Sequence, residues 1–535
     1  MQPKLDTQLK GEIYMLDVKT TRRRFLQGSA ALGATAMMNP GLSFSAEGSV
    51  LKIRSYSVFQ ILDPAFTLAA PEGWIGGAIF NKLVAFKPGT EWETELDAAE
   101  YIEQVDDTHI EFRLRPGIMF TNGYGEMTAE DVKFSYERII DPEMKSAYTG
   151  DWATLDRVEV TGKYSGTIVL KEPFAPLWWS TLPYGSGDII SKKATESAGG
   201  SFKGMDVPAV SGPYQIKEWV QKQKLVLERN PVWNGPKPDF DEIHLLPIDD
   251  EKSAELGFEA GDLDWTWVSV SSLPNYRSSP PKGSVLLESP SLYYVWLGMN
   301  VDHPLLQDIR VRKAIQRSID VDAIMEAAYF GVAKPSTGIV APGLLGHRDA
   351  NLTPSKPDYE GAKKLLAEAG HSGGLKITLD TLNKPTYMAS VQIIQANLLE
   401  IGIDVQINVH DSGSFWVLGS ESSGDQWKNV QLFYQRYSMS PDPSWATMWF
   451  TCDQVGVWNW ERVCNKEFDD LHKKAVVELD SDKRHVMYQK LQDLMEESGA
   501  YRFITHEATP SIYRDTIIPG VRPDGHPLLR HFRKA

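Results

Sequence analysis

The stretch FRLRPGIMFTNGYGEMTAEDVKFSYERI, residues 112–139, carries a strand pattern followed by a helix pattern. Apolar and polar residues alternate over residues 110–114, as in a half-buried strand, and an Arg-Pro-Gly turn ends that pattern. Residues 128–131 (TAED) then form a variant of the capping box, and apolar residues recur on one helical face over residues 132–140. A strand that leads into an amphipathic helix predicts a mixed α/β fold.

The same two patterns recur towards the C-terminus. Residues 362–370 (AKKLLAEAG) have apolar residues at helical spacing and end on a glycine suited to a C-cap. A second helical stripe covers residues 391–398, and residues 403–409 alternate as a strand. Residues 292–298 are predicted to form a strand that crosses between two lobes. The chain has 535 residues, more than the ~250–300 at which a single core stops growing, so at least two lobes are expected.

The N-terminal segment has the features of an export signal. Arg22 and Arg23 are followed by one further residue and two bulky apolar ones, which matches the twin-arginine pattern, and a charge-free stretch continues to Ala46. Processing is expected near residues 43–46. Residues 1–46 are therefore predicted to be a twin-arginine signal peptide, and the mature protein is predicted to be periplasmic. No later apolar run approaches the ~20 residues of a membrane helix.

Net charge excludes one class of partner. The whole chain carries −16 at pH 7, and the predicted signal peptide carries +3, so the mature chain would carry −19. Such an acidic protein is not expected to bind nucleic acid. An acidic surface says little about a small ligand, which is usually held in a desolvated pocket.

The chain contains two cysteines, Cys452 and Cys464. Neither lies near the predicted processing site, so a lipid-anchored N-terminal cysteine is not expected. In an oxidising compartment a close pair without C-x-x-C spacing, and with no histidine between, indicates a disulfide rather than a redox or metal site. Closing so short a loop would contribute ~3 kcal/mol to stability.

Five blocks of sequence, in order along the chain, resemble the extracytoplasmic solute-binding protein family 5. That family includes the dipeptide, oligopeptide and nickel binders of ABC importers, and the similarity runs from about residue 50 to the C-terminus. The blocks are FRLRPGIMFTNGYGEMTAEDVKFSYERI (112–139), SGPYQIKEWVQKQKLVLERNPVWNG (211–235), AGDLD (260–264), LGMNVDHPLLQDIRVRKAIQRSID (297–320) and AKKLLAEAG (362–370).

The resemblance implies a fold and a domain organisation. The fold would be an α/β, two-lobe periplasmic binding protein of type II, similar to cluster C, with mixed sheets, an extra N-terminal subdomain and a two-crossover hinge. Lobe I would hold residues 47–292 and 506–535, with an inserted subdomain at about 82–200. Lobe II would hold residues 293–505.

A protein of this kind buries its ligand between the lobes, so each ligand charge needs a partner and each apolar part needs an aromatic wall. The chain has 16 Trp and 20 Tyr, enough to supply such walls. Tyr294 and Trp296 are expected on one side of their strand, and Tyr293 on the other. Further aromatics of the cleft segments are Trp265, Trp445 and Trp460, for which core packing is the alternative. The candidate ligand-binding residues are Phe59, Trp74, Trp267, Tyr294, Trp296, Tyr434, Arg436, Tyr437, Ser438, Asp442 and Trp458.

Residues 433–443 match the loop that, in dipeptide binders of the family, carries an acid for the α-ammonium group of the ligand. This sequence has Tyr437 at the resembling position and Arg436 beside it, so a free peptide N-terminus would lack its usual counter-ion. Arg436 suggests a ligand with a carboxylate or phosphate. The alternative is that Arg436 pairs with an internal acid such as Asp442, which is itself typical of a structural turn between two prolines.

The sequence therefore predicts the periplasmic substrate-binding component of an ABC importer. A peptide, an opine-like conjugate or a similar solute would be delivered to a permease and its ATPase subunits at the inner membrane by a monomeric protein. An enzyme is the main alternative, but no nucleophile, phosphate-binding or zinc motif is present and the 11 histidines lack ligand spacing. No catalytic residue, metal ligand or cofactor is predicted. A nickel or haem ligand and a peptide-holding chaperone remain open.

Overall fold

The computed structural model describes residues 49–67 and 69–535. The predicted signal peptide, including Arg22 and Arg23, lies outside the described residues. The strands of the described chain are β1 Val50–Ser55, β2 Val84–Phe86, β3 Thr94–Leu96, β4 Ala99–Gln104, β5 His109–Leu114, β6 Met119–Phe120, β7 Gly125–Glu126, β8 Leu155–Val160, β9 Ser165–Leu170, β10 Tyr214–Val220, β11 Lys224–Arg229, β12 Glu242–Pro247, β13 Trp265–Trp267, β14 Ser284–Leu287, β15 Pro290–Met299, β16 Leu375–Leu382, β17 Ile403–His410, β18 Leu432–Ser438, β19 Tyr501–Ala508, β20 Ser511–Arg514, β21 Ile517–Ile518 and β22 Arg533–Lys534.

The α-helices of the described chain connect these strands. They are α1 Ala70–Ile79, α2 Ala129–Ile140, α3 Lys192–Ser197, α4 Glu251–Ala260, α5 Leu273–Ser278, α6 Ile309–Ser318, α7 Val321–Ala328, α8 Tyr359–Glu368, α9 Pro385–Glu400, α10 Ser412–Phe415, α11 Ser444–Thr447, α12 Lys466–Val477 and α13 Ser481–Glu497.

The largest sheet has seven strands in the order β10-β11-β12-β1-β13-β20-β14. Its central strand β1 is parallel to β12, with Val50 opposite Glu242, and parallel to β13, with Ile53 opposite Trp265. The outer strands pair in antiparallel fashion. Four of the six residues of β1 are buried and the other two are half-buried, as expected for a strand that is largely covered on both faces.

A second sheet has five strands in the order β17-β16-β18-β15-β19. Strand β16 is parallel to β17 and β18, whereas β15 is antiparallel to β18 and β19. The chain passes from the seven-stranded to the five-stranded sheet between β14 and β15, and returns between β19 and β20. The sheets are thus connected by two crossings, while the exact lobe boundaries stay a prediction.

The region between β2 and α3 adds a four-stranded antiparallel sheet in the order β4-β5-β9-β8. The strand predicted at residues 110–114 is part of β5, and the predicted helix is α2, so both predictions are confirmed. The Asp131 carboxylate accepts a hydrogen bond from the backbone N–H of Thr128 at 2.8 Å and closes the first turn. Tyr136 is buried and stacks on Trp152 at 4.2 Å, which fixes the helix on the sheet.

The predicted elements of the C-terminal half are also present. The helical pattern at residues 362–370 corresponds to α8, and Gly370 follows it at φ 86°, a left-handed conformation that favours glycine. The stripe at residues 391–398 lies in α9, and the alternating segment at residues 403–409 is β17. Cys452 and Cys464 form the predicted disulfide.

The described residues include neither a membrane-spanning helix nor a cluster of potential metal ligands. None of the helices there combines the length and apolar character needed to cross a membrane. Residues 49–67 and 69–535 contain no group of three or more His, Cys, Asp or Glu side chains placed to hold a metal ion.

Candidate ligand-binding cavity

A cavity of about 510 Å³ lies where segments attached to the three main sheets meet. The five-stranded sheet contributes the start of β15 and the loop after β18, and the four-stranded sheet region contributes Tyr148, Asp151, Ser180 and Tyr184. Residues 56–57, which follow β1, come from the seven-stranded sheet. The remaining wall comes from α1 with its flanking residues and from the loop at residues 522–531. In sequence terms the walls come from residues 56–97, 148–185, 291–293, 438–445 and 522–531.

One wall of the cavity is a cluster of aromatic rings. Tyr56 stacks on Trp267 at 5.3 Å, and Trp74 meets Trp267 edge to face at 5.5 Å. The indole N–H of Trp267 donates to the backbone carbonyl of Gly525, and that of Trp74 donates to Nδ1 of His526 at 3.2 Å. Burial lowers the pKa of His526 to about 4, so its ring is neutral and Nδ1 can accept. The rings are therefore held rigidly by their own polar atoms.

Three ion pairs border the cavity. Lys82 pairs with Asp188, Arg530 pairs with Asp97 at 2.9 Å, and Arg522 pairs with Asp524 at 2.7 Å. Burial alone would raise the pKa of Asp524, but the Arg522 guanidinium holds it below its usual value.

The guanidinium of Arg522 also lies over three aromatic rings, the nearest being Tyr184 at 5.3 Å from the ring centroid. Because each of these charges has a partner, all three pairs can stay buried without a ligand.

Asp151 is the remaining charged side chain that borders the cavity. It lies in the turn between α2 and β8, where its backbone carbonyl accepts a hydrogen bond from the Thr181 hydroxyl at 3.1 Å. Among the described residues its carboxylate has neither a hydrogen-bond donor nor an ion-pair partner. Burial raises the pKa of Asp151 to about 7, and no nearby charge opposes that effect.

Arg436 lies on β18, one layer behind the cavity. Its guanidinium pairs with Glu507 of β19 and lies 4.1 Å from the ring centroid of Tyr293, which does border the cavity. Tyr387 donates a further hydrogen bond to Glu507 at 3.0 Å. Although burial opposes its charge, Glu507 raises the pKa of Arg436. The internal acid that pairs with Arg436 is thus Glu507, and Asp442 is not its partner.

The carboxylate of Asp442 is occupied by protein groups. It accepts hydrogen bonds from the Arg484 guanidinium at 2.9 and 3.1 Å and from the backbone N–H of Ser444 at 2.9 Å. Asp442 is 1% exposed. The residue fixes the turn after β18 against α13, which agrees with the structural role that its proline neighbours suggest.

Other predicted ligand-binding residues lie in hydrophobic cores. Tyr294 and Trp296 point away from the cavity, and the Trp296 indole N–H donates to Glu461 at 2.6 Å. Tyr434 is fully buried, and Phe59 is 3% exposed in the core of the seven-stranded sheet. The alternation of β15 is as predicted, but the face that borders the cavity carries Tyr293.

Trp74 and Ser438 do border the cavity, and Trp267 packs directly on Trp74. Tyr437 and Trp458 belong instead to an aromatic row that starts at the cavity wall with Trp445. Successive ring centroids are 5.7, 6.0, 6.0 and 6.2 Å apart, and the order is Trp445, Trp449, Trp458, Tyr437 and Trp416. The Tyr437 hydroxyl donates to the backbone carbonyl of Trp458 at 2.7 Å, which ties β18 to the disulfide loop.

The sequence matches a known family model over residues 93–457, the model of bacterial extracellular solute-binding proteins, family 5 middle. The chain belongs to this family. Glutathione-binding protein GsiB of Escherichia coli K12 is 24% identical over 477 residues, which cover 88% of this chain and 90% of GsiB.

Two solved structures illustrate the fold of the family. DppA from Helicobacter pylori, in complex with the peptide STSA, superposes with a TM-score of 0.73 at 24% identity over 91% of this chain and 98% of DppA. MoaA from A. tumefaciens R10, in complex with mannopinic acid, gives the same TM-score and identity over 91% and 99%. The prediction of a two-lobe, type II periplasmic binding protein fold with mixed sheets is confirmed.

Several residues of this solute-binding protein's cavity were missed by the sequence reasoning. Tyr56, Lys82 and Asp151 sit in segments without a distinctive pattern. Arg522 and His526 belong to the segment RPDGHP, residues 522–527. Its Pro-Asp-Gly sequence predicts a turn, and the arginine and histidine on either side of that turn are the signal that could have marked it as a candidate site. No short-range sequence pattern links that segment to α1, which lies more than 400 residues earlier in the chain.

Proposed function

We propose that this chain is the periplasmic substrate-binding component of an ABC importer and that it captures a peptide or peptide-like solute. The observation that carries the proposal is the cavity itself, with stacked aromatic rings on one wall, buried charges on another and walls drawn from all three main sheets. Its volume of about 510 Å³ falls within the ~300–1,000 Å³ of pockets that bury small ligands. The ligands named for these relatives are glutathione, a short peptide and mannopinic acid, and all three are small and polar.

Capture would work by closure of two lobes, residues 47–292 with 506–535 and residues 293–505. Because the cavity takes walls from both, separating the lobes would expose the ligand and closing them would bury it. Affinity would then depend on the free-energy difference between open and closed forms. The two crossings between the sheets, at β14–β15 and β19–β20, are where the hinge would act.

Export and partners complete the proposal. Residues 1–46 would serve as a twin-arginine signal, with the folded mature protein released without a lipid anchor. It would act as a monomer, would perform no chemistry on the solute, and would present its closed form to the permease and its ATPase subunits.

The proposal can be tested by blocking the cavity. Gly77 lies on α1 and borders the cavity, and a Cβ added there meets no atom within 4 Å, so a side chain can enter the empty space. Gly77→Leu should fold, because leucine is a better helix former than glycine, and should lose solute binding. Gly373→Leu is the matched control, since Gly373 is exposed, far from the cavity and equally free of contacts.

Native mass spectrometry of protein purified from the periplasm, followed by denaturation and identification of the released compound, gives the readout. We expect one intact solute per wild-type and Gly373→Leu molecule and none on Gly77→Leu. Chemical conversion of the compound by the wild type would contradict the transport role. Binding that survives in Gly77→Leu would place the ligand elsewhere.

A further inference from the structure

The charges that border the cavity do not balance. The pairs Lys82–Asp188, Arg530–Asp97 and Arg522–Asp524 are each neutral overall. The two histidines of the wall are neutral as well, because burial lowers the pKa of each to about 4; they are His526 and His531. The side chain that is left over is Asp151. With its carboxylate ionised, the wall of the empty cavity carries a single negative charge in excess.

The protein groups around Asp151 do not compensate this charge. The hydroxyl of Tyr148 donates to the backbone carbonyl of Thr67, and that of Ser180 donates to the backbone carbonyl of Pro176 at 2.9 Å. The hydroxyl of Thr181 reaches the backbone oxygen of Asp151, not its carboxylate. The nearby donors are therefore committed elsewhere. Asp151 is half-buried at the cavity wall, so a ligand that fills the cavity would displace the solvent that its carboxylate still contacts. A carboxylate that loses this solvent without gaining a donor or a counter-ion is costly, and a cation on the ligand would offset that cost.

We propose that Asp151 is the counter-ion for a cationic group, an ammonium, on the solute that the cavity takes. The inference rests on the proposed function and names the charge of its substrate class. Asp151 sets this preference because the other acids of the wall already have a partner. Tyr148 borders the same cavity, and its hydroxyl already donates to the backbone carbonyl of Thr67.

Proton release follows from this arrangement. Burial raises the pKa of Asp151 to about 7 in the empty cavity, so its carboxyl group titrates near neutral pH. A bound ammonium favours the ionised carboxylate and lowers that pKa, so binding expels the proton and strengthens as the pH rises from 6 to 7. Above this range the α-ammonium of a peptide, with an ordinary pKa of about 7.7–8.0, loses its own proton and the gain is offset. Other groups of the wall keep their charge state over this range. Burial raises the pKa of the three tyrosines and lowers that of the two histidines, so all five stay neutral, and Arg522 and Asp524 stay charged as a pair; the neutral side chains are Tyr56, Tyr148, Tyr184, His526 and His531. The remaining charged groups of the wall are the pairs Lys82–Asp188 and Arg530–Asp97.

The test compares free and blocked amines on one set of probes. A mixture of di- to pentapeptides, half of it N-acetylated, is incubated with ligand-free protein, and the retained peptides are identified by mass spectrometry. The variants are Asp151→Asn and, as a matched control, Asp156→Asn, which removes an exposed carboxylate from the same subdomain. The wild type and Asp156→Asn should favour free amines at least ~30-fold, the lower range for removing one partner of a buried charge pair. Asp151→Asn should lose that preference.

Four outcomes would overturn the inference. Equal retention of free and acetylated peptides by the wild type, or an unchanged preference in Asp151→Asn, would remove Asp151 from recognition while leaving the binding function intact. Retention of no peptide by the wild type would overturn the proposed substrate class together with this inference. Calorimetry of wild-type protein with a retained peptide at pH 7, in two buffers of different ionisation enthalpy, gives an independent check, and absence of proton release would contradict the role of Asp151.

Discussion

Replacing Asp151 by asparagine should stabilise the ligand-free protein at pH 8 and leave it nearly unchanged at pH 4. Asparagine keeps the shape of the side chain and removes the charge that the cavity wall does not compensate. The pKa of Asp151 is raised by burial from 3.8 to about 7. Between these values the native state binds more protons than the unfolded state, so wild-type stability falls as the pH rises through this window.

The size of the effect follows from the same two pKa values. Ionised Asp151 would cost the native state at most about 4 kcal/mol at pH 8 and under ~1 kcal/mol at pH 4, since one pKa unit corresponds to about 1.4 kcal/mol. Because Asp151 is half-buried, its remaining solvent contact reduces this cost. Asp151→Asn removes this cost, so its advantage over the wild type should grow to as much as ~4 kcal/mol at pH 8.

Urea denaturation of ligand-free protein at pH 4, 6 and 8, followed by tryptophan fluorescence, measures this difference. Asp156→Asn serves as the control, because that carboxylate is exposed and paired with Arg157. Its stability relative to the wild type should vary little with pH. If Asp151→Asn is no more stable than the wild type at pH 8, the carboxylate is fully hydrated or has a counter-ion, and the wall carries no uncompensated charge.

Two further predictions concern pairs in the second sheet and its loop. Arg436→Met or Glu507→Gln alone should lower the free energy of unfolding by ~3 kcal/mol, because each leaves the other side chain charged and without its partner; the double variant should recover most of the loss in urea denaturation. A double variant no more stable than the singles would refute the pairing. Replacing both Cys452 and Cys464 by serine should cost ~3 kcal/mol in the same assay, and an unchanged midpoint would show that the segment is held by its other contacts.

The parts of the fold that the sequence predicted are those specified by neighbouring residues. Helix α2 has its capping box and its apolar face within one short segment, so pattern and structure agree. Strand β15 shows the limit of this reasoning. Its alternation correctly separates Tyr294 from Tyr293, but which face borders the cavity depends on what packs on the other side. The Trp296 indole N–H donates a hydrogen bond to buried Glu461, so the face that carries Tyr294 and Trp296 packs in the core.

The cavity could be predicted only in part, because its residues come together through long-range pairing. Trp74 was a candidate from its aromatic character alone, whereas its hydrogen-bond partner His526 lies 452 residues further along the chain. Asp151 carries no local pattern at all. It is recognised as the unpaired charge only when every other charge on the wall has been matched to its partner, and those pairs form only in the folded structure.

Arg436 illustrates how such pairing changes the expected ligand. As an isolated residue beside Tyr437 it suggests a solute with a carboxylate or phosphate. Strand pairing, however, places β15 between β18 and β19, and Glu507 of β19 then neutralises the guanidinium behind the ring of Tyr293. The cavity in front of that ring has an excess of negative charge, supplied by Asp151. Since a buried ligand must match the charge that remains after internal pairing, these contacts favour a cationic group where the isolated arginine suggested an anionic one.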